Sequence, residues 1–336
     1  MRRSARSLFI LAVLVLAMAS TGAVGQTDSV AAVHPAAKVR SPAIQPVLGW
    51  LGVVDLDRLE SRKAGGITLG TLEAAGIAGN VVMLQQARSS VPDWMVTEWK
   101  RARRHGMLFV GVYIAAPLPK DWDSFRRRLQ VVADAAKRAG ANGLVFDAEP
   151  YGYSDTAWDS SAPADRATMR MNAQSLAPII KSVGDLLIYP SSNASFPGSY
   201  NDVIRALNGD EDTYAQNLFP DFVDGLLAGG VQITLTDASF QFGPQRPGDT
   251  WATGIAKSVA LTTARFPGIR ASAMLWPDSR ESHGAFSPAE MQTAFSAAAR
   301  VSTGPVFLYQ QSLANGSDVK AWRAWLAAIK AALATK

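Results

Sequence analysis

The chain has 336 residues, of which 48% are hydrophobic and 18% are charged, and its 33 lysines and arginines exceed its 28 acids by five. This composition excludes an intrinsically disordered polyelectrolyte, because the apolar residues suffice for a large core. The chain contains no cysteine, which excludes disulfide bonds, thiolate metal ligands and a cysteine nucleophile.

Residues 1–25 have the pattern of a secretory signal peptide. Three arginines precede an apolar run from Leu8 to Ala19, and small residues follow at 23–25. The run is too short for a membrane-spanning helix, which needs about 20 residues. We therefore expect cleavage, a secreted or periplasmic protein, and no stable membrane insertion of the mature chain. Loss of the three arginines lowers the formal charge from +5 to +2.

The rest of the chain has one repeating pattern after a short leader. Residues 26–45 are rich in alanine and proline without periodicity, so we interpret them as a flexible leader. Over residues 46–336, eight apolar runs start 27 to 46 residues apart, which is the spacing of a βα repeat. The runs begin at Val47, Asn80, Met107, Asn142, Asp185, Val231, Ile269 and Pro305.

Three of the segments between or after the runs show helical periodicity. The segments that begin after Pro92, Asp121 and Ser317 each place apolar residues three and four positions apart. Each helix therefore has one apolar face, as a helix layer over a sheet requires. Eight alternating strands and helices without a glycine-rich nucleotide-binding turn predict a closed (β/α)8 TIM barrel, an α/β fold, as a single catalytic domain over 46–336.

The fourth run, NGLVFDAEPYG at 142–152, carries two acids at its end. Side chains alternate along a strand, so Val145, Asp147 and Glu149 share one face, and the α-carbons of the two acids lie about 6.5 to 7 Å apart. We expect both acids to point into the barrel mouth, where such barrels place their chemistry. Mutual repulsion then raises the pKa of one of them, and a protonated acid beside an ionised one suits glycosidic bond cleavage. The competing interpretation is a pair of rim acids bound to arginine or lysine.

This segment is similar to the DxxDxDxE signature that the family 18 glycoside hydrolases, the chitinase class, carry on their fourth strand. Gly143, Asp147 and Glu149 match, whereas Asn142 and Val145 replace the first two acids. The resemblance implies that Glu149 is the general acid and that Asp147 positions the acetamido group of the substrate. The third run lacks the family's SxGG, and the sixth ends in Thr-Asp instead of Tyr-Asp. We therefore assign the chain to the broader class of sugar-hydrolase barrels.

The second catalytic carboxylate has two further candidates. Asp237 ends the sixth run, and Asp278 follows the seventh. The large clan of retaining barrel glycosidases resembles this chain in placing an acid/base after strand four and a nucleophile after strand seven, but those enzymes show Asn-Glu where this chain shows Asp-x-Glu. The partner of Glu149 thus stays open among Asp147, Asp237 and Asp278, and an ordinary loop acid is an equal alternative for the last two.

The remaining residues expected at the mouth are polar and aromatic. Aromatic faces stack on the C–H surfaces of sugar rings, and amides and hydroxyls match sugar hydroxyls in both directions. Each residue alone is more often a packing residue, but as a set they favour a neutral, hydroxyl-rich ligand. The candidate binding residues are Gln86, Tyr113, Tyr151, Trp158, Tyr189, Asn193, Trp276, Tyr309 and Gln311.

Other kinds of catalytic site are disfavoured. His34, His105 and His283 are scattered, with His105 placed at the opposite end of the barrel from the mouth, so we expect no metal and no cofactor. A serine triad of Ser192, His283 and Asp278 would lack the GxSxG elbow.

Nucleic-acid binding is also disfavoured. The densest basic cluster, residues 100–104, falls on a predicted helix, and a net charge of +2 attracts polyanions weakly. We expect a monomeric glycoside hydrolase acting on a poly- or oligosaccharide. The alternative is a barrel that binds carbohydrate without cleaving it.

Overall fold

A computed structural model describes nine longer stretches of the chain and short pieces between residues 255 and 264. All of them belong to one compact unit, Pro42–Lys336. The signal-peptide and leader predictions fall on residues that, apart from Gln45, lie outside this description. The longer stretches are 45–51, 67–84, 89–114, 122–147, 162–189, 218–237, 266–275, 287–309 and 319–334.

Eight parallel strands form a closed barrel in chain order, and pairing of the first with the eighth closes it. Each strand coincides with one of the predicted apolar runs, so the predicted (β/α)8 fold is confirmed. The strands are β1 (Val47–Leu51), β2 (Ile77–Leu84), β3 (Met107–Tyr113), β4 (Gly143–Asp147), β5 (Asp185–Tyr189), β6 (Ile233–Asp237), β7 (Arg270–Leu275) and β8 (Val306–Tyr309).

Helices follow the strands along the described chain. The helices predicted after Pro92 and Asp121 are α2 and α3, and their predicted apolar faces are buried, with Phe125 only partly so. The predicted C-terminal helix is α7, and it buries Trp322 and Trp325. The described helices are α1 (Leu69–Ala74), α2 (Asp93–Arg103), α3 (Trp122–Ala139), α4 (Pro163–Lys181), α5 (Phe219–Ala228), α6 (Pro288–Val301) and α7 (Val319–Ala334), with further helical residues between 255 and 264.

Alternation along the strands creates two apolar layers. Leu144 and Phe146 of β4 lie between the sheet and the helices, and Phe146 meets Phe222 of α5 with ring centroids 6.2 Å apart. Val145 instead belongs to a smaller cluster inside the barrel. Burial of one such apolar side chain contributes about 1.5 to 3 kcal/mol, so both layers hold the strand orientation firmly. The interior cluster is Leu48, Val81, Met83, Phe109, Val145, Leu187, Tyr189, Met274 and Phe307.

Helices α4 and α5 are held by a buried ion pair as well as by packing. Asp221 of α5 is 1% exposed, and its Oδ1 accepts a hydrogen bond of 2.6 Å from Arg170 Nε. Arg166 Nε lies 2.8 Å from Oδ2, at ion-pair distance. The helices approach closely at Gly225, where a Cβ atom would lie 2.4 Å from the carbonyl oxygen of Arg170. A glycine is therefore needed at this crossing.

Two ion pairs lie at the end of the barrel where the strands begin. The carboxylate of Asp185 accepts a hydrogen bond of 2.6 Å from Arg270 at the starts of β5 and β7. His105 Nδ1 lies 3.0 Å from Glu73 Oε2, and both residues precede strands, so His105 is indeed remote from the mouth. Among the described helices, none combines the length and apolarity needed to cross a bilayer.

Candidate functional site

Asp147 is the last residue of β4, and two tyrosines flank it. The strand register pairs Asp147 with Tyr113 at the end of β3 and with Tyr189 at the end of β5. Side chains two apart on a strand share a face, so Asp147 points to the barrel interior with Val145. Only 3% of Asp147 and 7% of Tyr189 are exposed, whereas Tyr113 is partly exposed. A carboxylate thus sits between two phenols at the carboxyl ends of three neighbouring strands.

The barrel beneath Asp147 is filled by apolar side chains. Val145, Leu187 and Phe307 are almost fully buried and belong to the interior cluster. Met83 occupies the space over Gly111, because a Cβ atom at Gly111 would lie 1.9 Å from Met83 Sδ. The interior is therefore a packed core, as is usual for this fold, and ligands can enter only at the mouth above it.

The interior is polar on the side formed by β6 and β7. Thr234 pairs in register with the inward-facing Leu187, and Thr236 pairs with Ser272. All three hydroxyl residues are fully buried, and Thr236 Oγ1 donates to the carbonyl oxygen of Ile188 at 3.1 Å. Within the described residues, the hydroxyls of Thr234 and Ser272 have no hydrogen-bond partner. Sequence reasoning did not propose these residues, although the alternation of isoleucine, threonine and leucine along β6 indicates their inward face.

Three of the nine candidate binding residues lie at described strand ends. Tyr113, Tyr189 and Tyr309 all pack with the interior cluster, and Tyr309 ends β8, where it pairs with Trp50 of β1. Three aromatic residues therefore surround the mouth on β3, β5 and β8. On β6, the backbone of Thr236 pairs with Ser272 and that of Asp237 pairs with Ala273.

The remaining site predictions cannot be placed in this geometry. The side chain of Asp237 is outside the described part of the structure, although its backbone ends β6. The other candidates that lie outside the described residues are Glu149, Asp278, Gln86, Tyr151, Trp158, Asn193, Trp276 and Gln311. Among the residues that are described, no group of three or more histidine, aspartate or glutamate side chains could hold a metal ion.

Comparisons with known proteins relate this chain to other barrels only through its fold. No family model and no curated protein matches the sequence. A GH5-4 broad-specificity endoglucanase from an uncultured bacterium is 12% identical with a TM-score of 0.50, over 79% of this chain and 84% of that chain. Wild-type ZgEngAGH5_4 is 13% identical with a TM-score of 0.50, over 87% of this chain and 98% of its own.

Enzymes with other activities match as well. A D-psicose 3-epimerase is 14% identical with a TM-score of 0.44, over 85% of this chain and 96% of that chain. At these identities the likeness shows the (β/α)8 barrel alone. The function must therefore be argued from the residues at the mouth.

Proposed function

We propose that this protein is an exported glycoside hydrolase that cleaves a poly- or oligosaccharide. The observation that carries the proposal is Asp147, an acid buried at the carboxyl end of β4 between Tyr113 and Tyr189. An ionisable group is costly to bury, and in this fold the ends of the strands are where catalytic residues are found. Two endoglucanases have the same barrel fold, so the fold is compatible with this chemistry.

Glu149, two residues beyond Asp147, is the proposed general acid/base. As the bond between the anomeric carbon and the glycosidic oxygen breaks, Glu149 gives its proton to the leaving oxygen. The ionised carboxylate of Asp147 stabilises the positive charge that develops on the sugar. Water then supplies the hydroxyl group to the anomeric carbon, and its remaining proton returns to Glu149. Asp237 and Asp278 stay candidates for the second catalytic carboxylate.

The proposed substrate is neutral where it meets the mouth. Tyr113, Tyr189 and Tyr309 offer ring faces for stacking and phenol groups for hydrogen bonds with sugar hydroxyls. The hydroxyl-rich side of the barrel at Thr236 and Ser272 adds to this polarity without adding charge. Such a lining favours uncharged sugar rings at the point of cleavage.

The test is a reducing-end assay over a panel of bacterial and fungal polysaccharides. The parent should release reducing ends from at least one of them, and Glu149→Gln should lower turnover by about 100-fold or more with an unchanged melting temperature. Glu73→Gln is the matched control, because it makes the same chemical change at the opposite end of the barrel. Full activity of the Glu149→Gln variant would refute the assignment. Amino-terminal sequencing of the protein recovered outside the cell tests export and cleavage after residue 25.

The second candidate is a barrel that binds carbohydrate without cleaving it. The burial of Asp147 favours this alternative, because an acid with 3% exposure beside two tyrosines suits hydrogen bonding to a held sugar. In that case neither the parent nor Glu149→Gln releases reducing ends. Titration calorimetry with the same glycans would then give similar affinities for both proteins.

A further inference from the structure

The positive charge of the described chain is concentrated on two neighbouring helices. We define the basic face as α2 with its following residue Arg104, together with α3. It carries nine lysines and arginines against four acids, a net charge of +5. The other described residues carry eight cations and eight acids, so they are neutral as a group. Within the described part of the barrel, the excess positive charge therefore lies entirely on the basic face.

Ion pairs within the basic face leave five cations without an acid. Glu98, Asp123, Asp134 and Asp93 pair with Arg101, Arg126, Lys137 and Arg138 respectively. Arg103 donates instead to the backbone carbonyl oxygens of Gly140 and Gly106, and Arg128 donates to Ser124. Among the described residues, no acid lies within ion-pair distance of Lys100, Arg103, Arg104, Arg127 or Arg128.

Helix electrostatics accounts for only part of this pattern. Cations near a helix C-terminus are stabilised by the macrodipole, which explains Arg103 and Arg104 at the end of α2. Arg126, Arg127 and Arg128 lie in the second turn of α3, where the dipole gives a cation no stabilisation. Three consecutive arginines there raise the local repulsion, and among the described residues only Arg126 has an acidic partner, Asp123.

An exposed aromatic residue shares the surface of α2. Trp94 is 59% exposed, and it lies three, seven and ten positions before Thr97, Arg101 and Arg104, on the same side of the helix. The hydrogen bond from Arg103 to Gly140 joins the end of α2 to the end of α3. Trp94 therefore shares one side of α2 with Arg101 and Arg104, and the end of α2 lies beside the end of α3.

We propose that the basic face binds an anionic polysaccharide. The five uncompensated cations form two groups, with Lys100, Arg103 and Arg104 within about 6 Å along the end of α2 and with Arg127 and Arg128 adjacent on α3. Acidic groups on neighbouring sugar rings of one extended chain can contact both groups. Trp94 supplies a stacking face for a ring, and one exposed aromatic residue offers little apolar area for a membrane.

The proposal is tested by binding of the full chain to immobilised polygalacturonate, with neutral dextran as the control polymer. The triple variant Lys100→Gln, Arg104→Gln, Arg127→Gln should bind polygalacturonate about 10-fold more weakly at low ionic strength, since three exposed charge contacts are lost. Rising salt should weaken binding of the parent more steeply than that of the variant. Trp94→Ala should also weaken binding.

A second triple variant with the same change in net charge serves as the matched control. Lys320→Gln, Arg323→Gln, Lys330→Gln removes three exposed cations from α7 and should bind as the parent does. Equal loss in both triple variants, or no binding by the parent, would overturn the proposal. Tighter binding to a single-stranded oligonucleotide or to vesicles of anionic lipid than to polygalacturonate would overturn it as well. The reducing-end assay on neutral glycans is independent of all these outcomes.

Discussion

Asp147 and Asp221 are almost equally buried, yet their surroundings differ, and we expect them to affect stability in different ways. They are 3% and 1% exposed, and conversion of each to asparagine removes the charge without a change of shape. Asp221 lies between two arginines at the contact of α4 and α5, and Asp147 lies at the mouth of the barrel. We expect Asp221→Asn to lower stability and Asp147→Asn to lower activity.

The magnitude for Asp221 follows from its contacts. Arg170 donates a charge-assisted hydrogen bond of 2.6 Å to Oδ1, and such bonds contribute about 1.5 to 3 kcal/mol. Arg166 is at ion-pair distance, but its N–H geometry adds no hydrogen bond to Oδ2. The arginine side chains are 26% and 53% exposed, so water replaces part of the lost interaction. The expected loss is therefore about 2 kcal/mol, or about 4 °C in melting temperature.

Asp147→Asn should change the free energy of unfolding by no more than about 1 kcal/mol, in either direction. The variant removes the cost of burying a charge, and catalytic positions commonly hold residues that do not favour stability. Turnover should fall by about 100-fold or more, because a neutral amide cannot stabilise positive charge on the sugar. Thermal unfolding and the reducing-end assay on both variants give the comparison.

One pattern of results would refute this reasoning. If Asp147→Asn lost as much stability as Asp221→Asn while the folded fraction kept its activity, Asp147 would be a structural acid like Asp221. The assignment of the mouth as the catalytic site would then lose the observation on which it rests.

Two stability predictions concern other elements of the barrel. Ser287→Ala should lower the free energy of unfolding by about 1 kcal/mol in urea, because Ser287 caps α6. Its backbone N–H and its hydroxyl also donate hydrogen bonds to the Glu290 carboxylate, and these bonds lower the pKa of that carboxyl. The stabilisation by Glu290 is complete above its ordinary pKa of 4.5 and is lost as the pH falls through the lowered folded-state pKa. The difference between parent and variant should therefore shrink in acid to the part that comes from the cap bond of Ser287 with the Glu290 N–H. Gly225→Ala should cost about 2 kcal/mol in thermal unfolding, since the new methyl group would lie 2.4 Å from the carbonyl oxygen of Arg170. The control is Gly70→Ala on α1, where the nearest atom to the new Cβ would be Thr68 Oγ1 at 3.7 Å, so this variant should be neutral or slightly stabilising. Equal losses of stability in the two variants would contradict the close contact at Gly225.

The repeat of apolar runs was sufficient to predict the barrel because each strand is buried on both faces. Eight such runs at a βα spacing, without a glycine-rich nucleotide-binding turn, favour a closed barrel over an open doubly wound sheet. The start of β2 differs from the sequence prediction, because the strand begins at Ile77 whereas the apolar run begins at Asn80. Gly79 lies between the two positions, and glycine is generally unfavourable in strands. Here a Cβ atom at that position would lie 2.2 Å from the carbonyl oxygen of Met107, so the close approach of β3 requires the glycine.

At the mouth, the sequence predicts on which face of its strand a residue lies, but not which residues of other strands lie beside it. Alternation along β4 was enough to predict that Asp147 and Val145 share the interior. The two tyrosines lie beside Asp147 because of the register between β3, β4 and β5. This register depends on the shear of the closed barrel and cannot be predicted from the sequence of one strand.

Burial alone therefore cannot identify a functional acid in this barrel. Asp221 lies on the buried side of a mainly apolar helix, whereas Asp224 of the same helix is exposed. A buried acid there indicates an ion-pair partner, but Arg170 lies 51 positions away in the chain. Only the packing of α4 against α5 brings the two together. Asp147 shares the burial of Asp221 but lies at a strand end, among phenol groups that can contact a sugar. The surroundings of each acid, which the fold creates, separate the catalytic candidate from the structural one.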